Sequence, residues 1–401
     1  MSRPSAVVIS PEAPYPMHGG GAIRTASLLQ YLAPRFDVDL ILFRQSGDTD
    51  PALSLPYNDE SHRLAALNTF TVTLPFHSRR TLAWLARNGQ RWLLGTPPLL
   101  HRFSGQDREI ASFLAGRHYD LGLIEHFWCA PYVAQLEPAC GRMVLDLHNV
   151  ESELHASCAR SGSWPLAVAH SRFEHAYVRE EMRWLPRFSH LLVASEEDGR
   201  RVRNLAPETP VTVYRNALPL VPLPAAVEEP VIAFSGNFEY HPNIQAVRFL
   251  VKDIWPRLAA RFPDLKLRLI GKNPGAVQAD LRGAPRVETT GPVDDAVAEL
   301  ARAQVAIVPL LSGSGTRLKI LEAWAAARPV VATSLGAEGL GVRPGIDIVI
   351  ADTAEVFAES VSEMLGSRER RRRIGCAGRH TYEEAYTWET VWQSLPGNLF
   401  L

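Results

Sequence analysis

The sequence predicts an α/β protein with two Rossmann-like domains in tandem. Short apolar segments alternate with glycine-containing loops and with stretches of helical periodicity, which is the pattern of doubly wound sheets. A proline-rich stretch interrupts this alternation near the middle of the chain. The length of 401 residues also suits two domains of ordinary size.

The first series of elements begins close to the N-terminus. Residues 6–10 (AVVIS) predict a short buried strand, and the Pro/Gly-rich loop PEAPYPMHGGG follows it. Helical periodicity over 22–33 and the apolar run VDLILF at 38–43 continue the order strand, loop, helix, strand. The remaining predicted elements of this series are strands at 121–124, 143–147 and 191–194 and a long amphipathic helix over 166–184.

A linker separates this series from a second one. Residues 216–230 read NALPLVPLPAAVEEP, and prolines at this spacing cannot continue a helix or a central strand. We therefore predict domains at 1–215 and 216–384. Because open α/β sheets bind ligands at the carboxyl ends of their strands, we expect the ligand cleft between the two domains. Strands of the second domain are predicted at 231–235, 265–270, 305–311 and 329–333.

The composition narrows the class of partner and the compartment. A formal net charge of -1 and the lack of a nucleic-acid-binding motif argue against a nucleic-acid partner. The four cysteines lack CxxC spacing, which argues against a disulfide framework or a zinc cluster and favours the cytoplasm. We expect no signal peptide and no transmembrane helix. The basic run SRERRRR at 367–373 predicts the solvated face of a surface helix.

The stretch SGSGTRLKILEAWAAARPVVAT, at 312–333, carries the clearest chemistry. It follows the predicted strand VAIVPLL, and a helix is expected to begin near Thr316. The free N–H groups of a helix start suit a phosphate, and Arg317 and Lys319 add positive charge there. Glu322 lies one turn further, where a carboxylate can accept hydrogen bonds from ribose hydroxyls. Spacing alone leaves a second interpretation open, in which Lys319 and Glu322 form a surface pair beside an ordinary βα turn.

The wider stretch SGSGTRLKILEAWAAARPVVATSLGAEGL resembles the donor-binding signature of retaining glycosyltransferases with the GT-B fold, and of glycosyltransferase family 4 in particular. Other stretches resemble that family in the same order: PEAPYPMHGGGAIR, VTVYRNA, FSGNFEYHPN, LRLIGKNP, TTGPVDD and YTWETVWQSL. The resemblance implies two Rossmann-like domains facing across a cleft. It also implies that a last helix, at about 385–401, packs back on the first domain.

The resemblance also implies roles for the residues that match. Glu322 is expected to hold the nucleotide ribose, while Arg317 and Lys319 hold the diphosphate. Gly20 and Gly21 of the first domain would help to hold the diphosphate, and backbone groups at Gly271 and Val293 would approach the base. The rest of the expected donor-binding set is Gly236, Asn237, Ser314, Gly315 and Thr316.

Two departures from the family pattern concern the donor sugar. The family often carries two glutamates separated by seven residues, and Ser314 stands at the first of these positions. Many members also carry Arg and Lys after the first strand of the second domain, where this chain has Asn237, Phe238 and Glu239. The chain is similar to a subgroup with a G-T-R-x-K loop, which carries the phosphate-binding cations within that loop.

The catalytic candidates are His148, Arg317 and Lys319. His148 ends the strand MVLDLHN and matches a histidine that approaches the reacting sugar in the family. His126, in LIEHFW, and Arg24 are candidates on the acceptor side, and a structural role for His126 stays open. We expect neither a metal nor a cofactor. The DVD and DTD sequences at 37–39 and 48–50 do not make a convincing metal motif.

The predicted function is transfer of a sugar from a nucleotide-diphosphate sugar to a sugar or lipid-linked acceptor, with retention of the anomeric configuration. Polysaccharide or glycolipid biosynthesis is the expected context. Two alternatives stay open: another sugar-nucleotide enzyme of this fold, such as a 2-epimerase, and a non-catalytic partner subunit that binds the nucleotide. A dehydrogenase is disfavoured because HGGGAIR does not match G-x-G-x-x-G.

The segment at 79–103 predicts contact with a membrane surface. It reads RRTLAWLARNGQRWLLGTPPLLHRF, in which arginines alternate with leucines and two tryptophans. An amphipathic helix of this kind can lie on an anionic bilayer. In the alternative interpretation, the tryptophans pack inward and the arginines are solvated. The expected location is therefore the cytoplasm, with peripheral contact at the inner face of the membrane.

Overall fold

The computed structural model describes residues 3–17, 19–56, 67–76, 81–161, 164–313 and 317–400. The chain divides into two compact units. Unit 1 comprises Met1–Arg215 and Trp392–Leu401, and unit 2 comprises Asn216–Val391. None of the described helices is both long and apolar enough to span a membrane.

Unit 1 is built on a seven-stranded sheet in the order β3-β2-β1-β4-β5-β6-β7, with every described pair parallel. The inner strands are nearly continuous apolar runs because helices cover both faces of a parallel sheet. Its strands are β1 (Ser5–Ser10), β2 (Asp37–Gln45), β3 (Leu67–Leu74), β4 (Tyr119–Glu125), β5 (Cys140–Leu147), β6 (His190–Val193) and β7 (Val211–Val213).

Eight α-helices of unit 1 lie within the described residues. They are α1 (Gly20–Leu32), α2 (Thr81–Leu94), α3 (Pro98–Phe103), α4 (Asp107–Leu114), α5 (Val133–Leu136), α6 (Glu151–Ser161), α7 (Trp164–Trp184) and α8 (Glu196–Leu205). Local sequence sets several of the ends. Ser195 caps α8, for example, by accepting a hydrogen bond from the backbone N–H of Asp198.

Unit 2 has a six-stranded sheet in the order β10-β9-β8-β11-β12-β13, again parallel throughout the described pairs. Its strands are β8 (Val231–Ser235), β9 (Lys266–Ile270), β10 (Val287–Gly291), β11 (Val305–Val308), β12 (Val330–Ala332) and β13 (Val349–Ile350). Its α-helices are α9 (His241–Phe249), α10 (Trp255–Arg261), α11 (Ala296–Leu300), α12 (Leu318–Ala325), α13 (Ala354–Gly366), α14 (Arg368–Ala385) and α15 (Trp388–Trp392), whose last residue belongs to unit 1.

The predicted α/β fold class is confirmed, and every strand predicted from the sequence is present. The four strands that the apolar pattern did not predict are the two edge strands of each sheet: β3, β7, β10 and β13. Edge strands are less buried, so they carry polar residues among the apolar ones, as in LNTFTVTL and VETTG.

One local prediction is wrong, and a second holds with one exception. A single helix does not cover 385–401, because the backbone of Tyr386 and Trp388 bonds to Leu218 and interrupts the helix between α14 and α15. The basic run at 367–373 opens the helix α14, and Arg368, Arg372 and Arg373 are exposed as predicted, so Arg371 is the exception. Arg371 is buried, and it forms an ion pair with Glu228.

Candidate functional site

The loops at the carboxyl edge of the unit 2 sheet pack backbone against backbone. Gly236 follows β8 and donates its N–H to the carbonyl of Ile270, while Gly271 follows β9 and donates to Gly291. Gly271 has a φ of +135°, and a Cβ there would collide with the carbonyl oxygen of Gly236. Glycine is therefore required at 271. Val293 lies partly exposed just after β10, and the expected approach of a ligand to Gly236, Gly271 and Val293 stays a prediction.

Arg317 lies at the N-cap of α12 rather than within its first turn. The helix begins at Leu318, later than the sequence predicted, because Arg317 has a non-helical backbone. Its guanidinium is buried and donates to the carbonyl oxygen of Gly313 at 3.0 Å and to that of Leu335 at 3.3 Å. A carboxylate oxygen of Glu338 lies 3.9 Å away. These contacts hold the cation at the helix start.

Lys319 lies in the first turn of α12 with its ammonium group largely desolvated. Nζ donates to Oδ1 of Asn243 at 2.8 Å and lies 5.0 Å from the centre of the Phe234 ring. Burial, and then the charge of Arg317, lower the pKa of Lys319 to about 7, although Glu322 opposes that shift. A bound anion would therefore favour the charged ammonium form of this lysine.

Glu322 faces the end of β8. Its Oε2 accepts a hydrogen bond from the hydroxyl of Ser235 at 3.1 Å, and burial raises the pKa of the carboxyl group. Among the described residues, Lys319 and Glu322 do not form an ion pair within 4.0 Å, so the alternative of a surface pair is wrong. Their polar groups bond instead to Asn243 and Ser235, at the same sheet edge.

Asn243 is a member of this site that the sequence did not reveal. It is buried on α9, and its Nδ2 donates to the carbonyl oxygen of Asn237 at 2.8 Å. Its Oδ1 accepts from Lys319, so one amide joins the loop after β8 to the cation of α12. The stretch FSGNFEYHPN drew attention only to the loop after β8. Its last residue is Asn243, so the signal for this member of the site was present in the sequence. The other expected loop residues, Ser314, Gly315 and Thr316, lie outside the described residues.

Unit 1 contains a separate buried cluster at the ends of β4 and β5. Nε2 of His148 lies 2.7 Å from Oε2 of Glu125 and 3.5 Å from Oδ2 of Asp146. Glu125 and Asp146 are aligned in the register of the two strands, which brings their carboxylates together. Arg24 of α1 donates to both oxygens of Asp146, at 2.6 and 2.5 Å, and to the carbonyl of Tyr214 at 2.6 Å. Arg24 is thus buried and is an internal partner of Asp146, while its expected place on the acceptor side stays a prediction.

His126 packs against His148 and is held in an unusual backbone conformation. Its φ is +63°, in the left-handed region, and its ring centre lies 3.5 Å from that of His148 and 4.3 Å from that of Trp128. Both ring nitrogens are buried and form no hydrogen bond among the described residues. The nearest carboxylate oxygen, of Glu12, is 3.9 Å from Nε2.

The two glycines of the first loop occupy different surroundings. Gly21 lies close to the histidine cluster, because a Cβ there would collide with the Glu12 side chain and lie 3.1 Å from Nε2 of His126. Gly20 is exposed at the first residue of α1. Their expected contact with the diphosphate stays a prediction.

Burial favours the neutral forms of His148 and Glu125. It lowers the pKa of His148 to about 4 and raises the pKa of Glu125 to about 7, where Arg24 acts in the opposite direction. Glu125, Asp146 and His148 each offer one atom within 4.8 Å of the others, a grouping that can hold a metal ion. A cation there would have to compete with Arg24, which already binds both oxygens of Asp146.

Residues 229–367 match the family model described as "Glycosyl transferases group 1". A protein described as an uncharacterized 44.6 kDa protein in the cps region of Klebsiella pneumoniae is 26% identical over 172 residues, which are 41% of this chain. The match covers only 44% of that relative, less than half of its length.

Solved structures similar to the chain cover almost its full length. A sucrose-phosphate synthase from Thermosynechococcus elongatus has a TM-score of 0.68 and 18% identity, covering 97% of this chain and 96% of its own. HepE from Anabaena, in complex with UDP and glucose, has a TM-score of 0.66 and 14% identity, and the match covers 98% of each chain. The G117R mutant of TarM from S. aureus, in complex with Fondaparinux, alpha-GlcNAc-glycerol and UDP, has a TM-score of 0.70 and 10% identity, and the match covers 99% of each chain. The GT-B fold and the resemblance to glycosyltransferases of that fold are thereby confirmed.

Replacement of Lys319 by methionine should stabilise the chain without ligand. The folded pKa of about 7 lies below the ordinary 10.5, so the folded state disfavours the ammonium form. The cost is complete below pH 7 and shrinks as pH rises from 7 towards 10.5, because in this range the folded lysine has released its proton while the unfolded lysine still binds one. Urea unfolding should show a higher midpoint for Lys319→Met at pH 6 and a smaller gain at pH 9.

A matched lysine provides the control. Lys252 is exposed on the surface of unit 2, so Lys252→Met should change the midpoint little at either pH. A Lys319→Met variant that is less stable than the wild type at pH 6 would show that the ammonium is well solvated in the folded chain.

Proposed function

We propose that the chain is a metal-independent glycosyltransferase that moves a sugar from a nucleotide-diphosphate sugar to an acceptor with retention of anomeric configuration. One observation carries the proposal. Arg317, Lys319 and Glu322 converge at the carboxyl edge of a parallel sheet, within the stretch that matches the glycosyltransferase family model. Two cations followed by a carboxylate suit a diphosphate joined to a ribose.

The leaving diphosphate is assigned to the start of α12. Charge develops on its oxygens as the bond to the anomeric carbon breaks, and Arg317 and Lys319, which are held by Gly313 and Asn243, would stabilise that charge. A bound diphosphate would also favour the ammonium form of Lys319, whose pKa burial lowers to about 7. The positive charge of Lys319 would then contribute to both binding and catalysis.

The nucleoside is assigned to Glu322 and to the adjoining loops. Glu322 would accept hydrogen bonds from the ribose hydroxyls, and the backbone at Gly271 and Val293 would border the base. The fold neighbour HepE contains UDP, which makes uridine diphosphate the first nucleotide to test.

The chemical step is assigned to the substrates and to His148. The bond between the anomeric carbon and the phosphate oxygen breaks, and a bond to the acceptor hydroxyl forms on the same face of the sugar. The acceptor proton passes to an oxygen of the leaving diphosphate. His148 would contact the reacting sugar. In this scheme no side chain attacks the anomeric carbon.

The acceptor is assigned to a sugar or a lipid-linked sugar in polysaccharide or glycolipid synthesis. The location of the Klebsiella relative in a cps region supports this context. Analysis of products from a panel of labelled nucleotide sugars would separate transfer from 2-epimerisation and from binding without turnover.

Contact with a membrane surface is assigned to α2 and α3. Leu82, Leu93 and Leu94 are exposed, and Trp92 is 41% exposed, so this tryptophan does not pack inward. The side chain of the other tryptophan, Trp84, lies outside the described residues. Exposed leucines and an interfacial tryptophan can enter the headgroup region of a bilayer.

Positive charge accompanies this apolar surface. Burial, and then repulsion by Arg87 and Arg102, lower the pKa of Arg91. In the described part of the chain, no carboxylate pairs with Arg91 or Arg102 within 4.0 Å. An anionic phospholipid would supply the missing negative charge, which supports peripheral binding at the inner face of the membrane.

Glu322→Ala should weaken binding of uridine diphosphate by about tenfold or more, because the ribose loses a carboxylate acceptor. Calorimetry would measure the affinity, and circular dichroism would check the fold. Glu355→Ala, which removes an exposed acid on α13, is the matched control. Equal affinities for Glu322→Ala and the wild type would remove Glu322 from the site.

Sugar transfer should continue in excess EDTA, because Arg317 and Lys319 supply the positive charge that a metal supplies elsewhere. The assay would measure release of nucleoside diphosphate before and after chelation. Loss of turnover that Mg²⁺ or Mn²⁺ restores would contradict metal independence and would direct attention to Glu125, Asp146 and His148.

The chain should co-sediment with anionic phosphatidylglycerol liposomes at low salt and be released as salt rises. Arg87→Glu combined with Arg91→Glu should abolish this binding. The control is Arg257→Glu combined with Arg261→Glu, which changes the same charge on exposed arginines of α10 in unit 2. A wild-type chain that stays in the supernatant at low salt would favour an acceptor without a membrane.

A further inference from the structure

We infer that Glu125 is a positioning residue for His148: its carboxylate accepts the Nε2–H of the imidazole, and this leaves Nδ1 as the acceptor of the ring. The inference rests on the proposed function for what His148 does in sugar transfer. The pairing itself does not depend on it.

The strands hold the two groups in contact. Glu125 is the last residue of β4, and His148 directly follows β5, the neighbouring strand. Glu125 is fully buried, and its Oε2 lies 2.7 Å from Nε2 of His148. A buried carboxylate at this distance fixes both the orientation of an imidazole and the nitrogen that carries its proton.

Arg24 explains why Glu125, and not Asp146, is the partner. Asp146 is also near, with Oδ2 at 3.5 Å from Nε2 of His148. However, both of its oxygens already accept hydrogen bonds from Arg24, at 2.6 and 2.5 Å. Arg24 therefore satisfies Asp146 and leaves the shorter contact to Glu125.

Stacking restricts the ring further. His126 lies against one face of His148 with ring centres 3.5 Å apart, and Trp128 stacks on the other side of His126. With Nε2 directed at Glu125 and one face covered by His126, the tautomer decides whether Nδ1 can accept a proton or a hydrogen bond.

Desolvation, together with the charge of Arg24, keeps the imidazole of His148 neutral at working pH. Burial lowers the pKa of His148 to about 4, and Asp146 and Glu12 only partly oppose it. The same burial raises the pKa of Glu125 to about 7. At pH 8.5 the glutamate is ionised and the histidine is neutral, so Glu125 accepts and His148 donates.

Long-range ¹⁵N–¹H NMR of the full chain with labelled histidines tests the tautomer at pH 8.5. The His148 signals are those that disappear in His148→Ala. We expect the wild type to carry the proton on Nε2, and Glu125→Ala to give a mixture or the Nδ1–H form. Glu181→Ala is the matched control, since Glu181 is another buried acid of unit 1 but pairs with the backbone of Ser152.

Kinetics give a second readout that a purely structural role would not produce. Glu125→Ala should lower kcat about tenfold or more and leave nucleotide affinity unchanged. Added to His148→Ala, it should cause no further loss. Glu125→Gln retains an acceptor oxygen in a side chain of the same size, so it should restore part of kcat and serves if Glu125→Ala does not fold.

The outcomes separate this inference from the proposed function. A wild-type His148 protonated on Nδ1, or a tautomer ratio unchanged in Glu125→Ala, would overturn the positioning role whether or not the chain transfers sugars. The expected tautomer shift in a chain that transfers no sugar would support the pairing and count against the proposed function alone.

Discussion

The candidate site of unit 2 depends on the desolvation of two neighbouring cations. Arg317 and Lys319 lie at the start of one helix, and hydrogen bonds to neutral oxygen acceptors lower the cost of burying each of them. Gly313 and Leu335 supply carbonyl oxygens to the arginine, and Asn243 supplies an amide oxygen to the lysine. Glu338 also lies 3.9 Å from the guanidinium of Arg317, and a diphosphate would add further negative charge beside the two cations. In unit 1 the corresponding charge of Arg24 is already cancelled by Asp146.

The sequence predicted the fold well because parallel strands in the middle of a sheet are apolar on both faces. Strands such as β1 and β8 are almost wholly buried and stand out as continuous apolar runs. The edge strands did not stand out. β7 has only three residues and β13 only two. In β3 and β10, threonine, asparagine or glutamate residues interrupt the apolar ones. These segments become strands because they pair with a neighbouring strand. The residue pattern along the sequence does not contain that information.

The candidate sites were predictable where the residues are close in sequence. Arg317, Lys319 and Glu322 share one helix start, so their spacing alone placed them together. Glu125 and Asn243 reach His148 and Lys319 from other strands and helices, and their roles follow from strand register and packing. Polar residues at the ends of apolar strands, such as the glutamate of LIEHFW and the aspartate of MVLDLHN, were the signals that sequence reasoning passed over.

A crystal structure of the full chain with uridine diphosphate tests the central claim most directly. The account predicts diphosphate oxygens within hydrogen-bonding distance of Arg317 and Lys319, and both ribose hydroxyls on Glu322. A nucleotide bound elsewhere, with these three side chains in the contacts that they make without ligand, would contradict it.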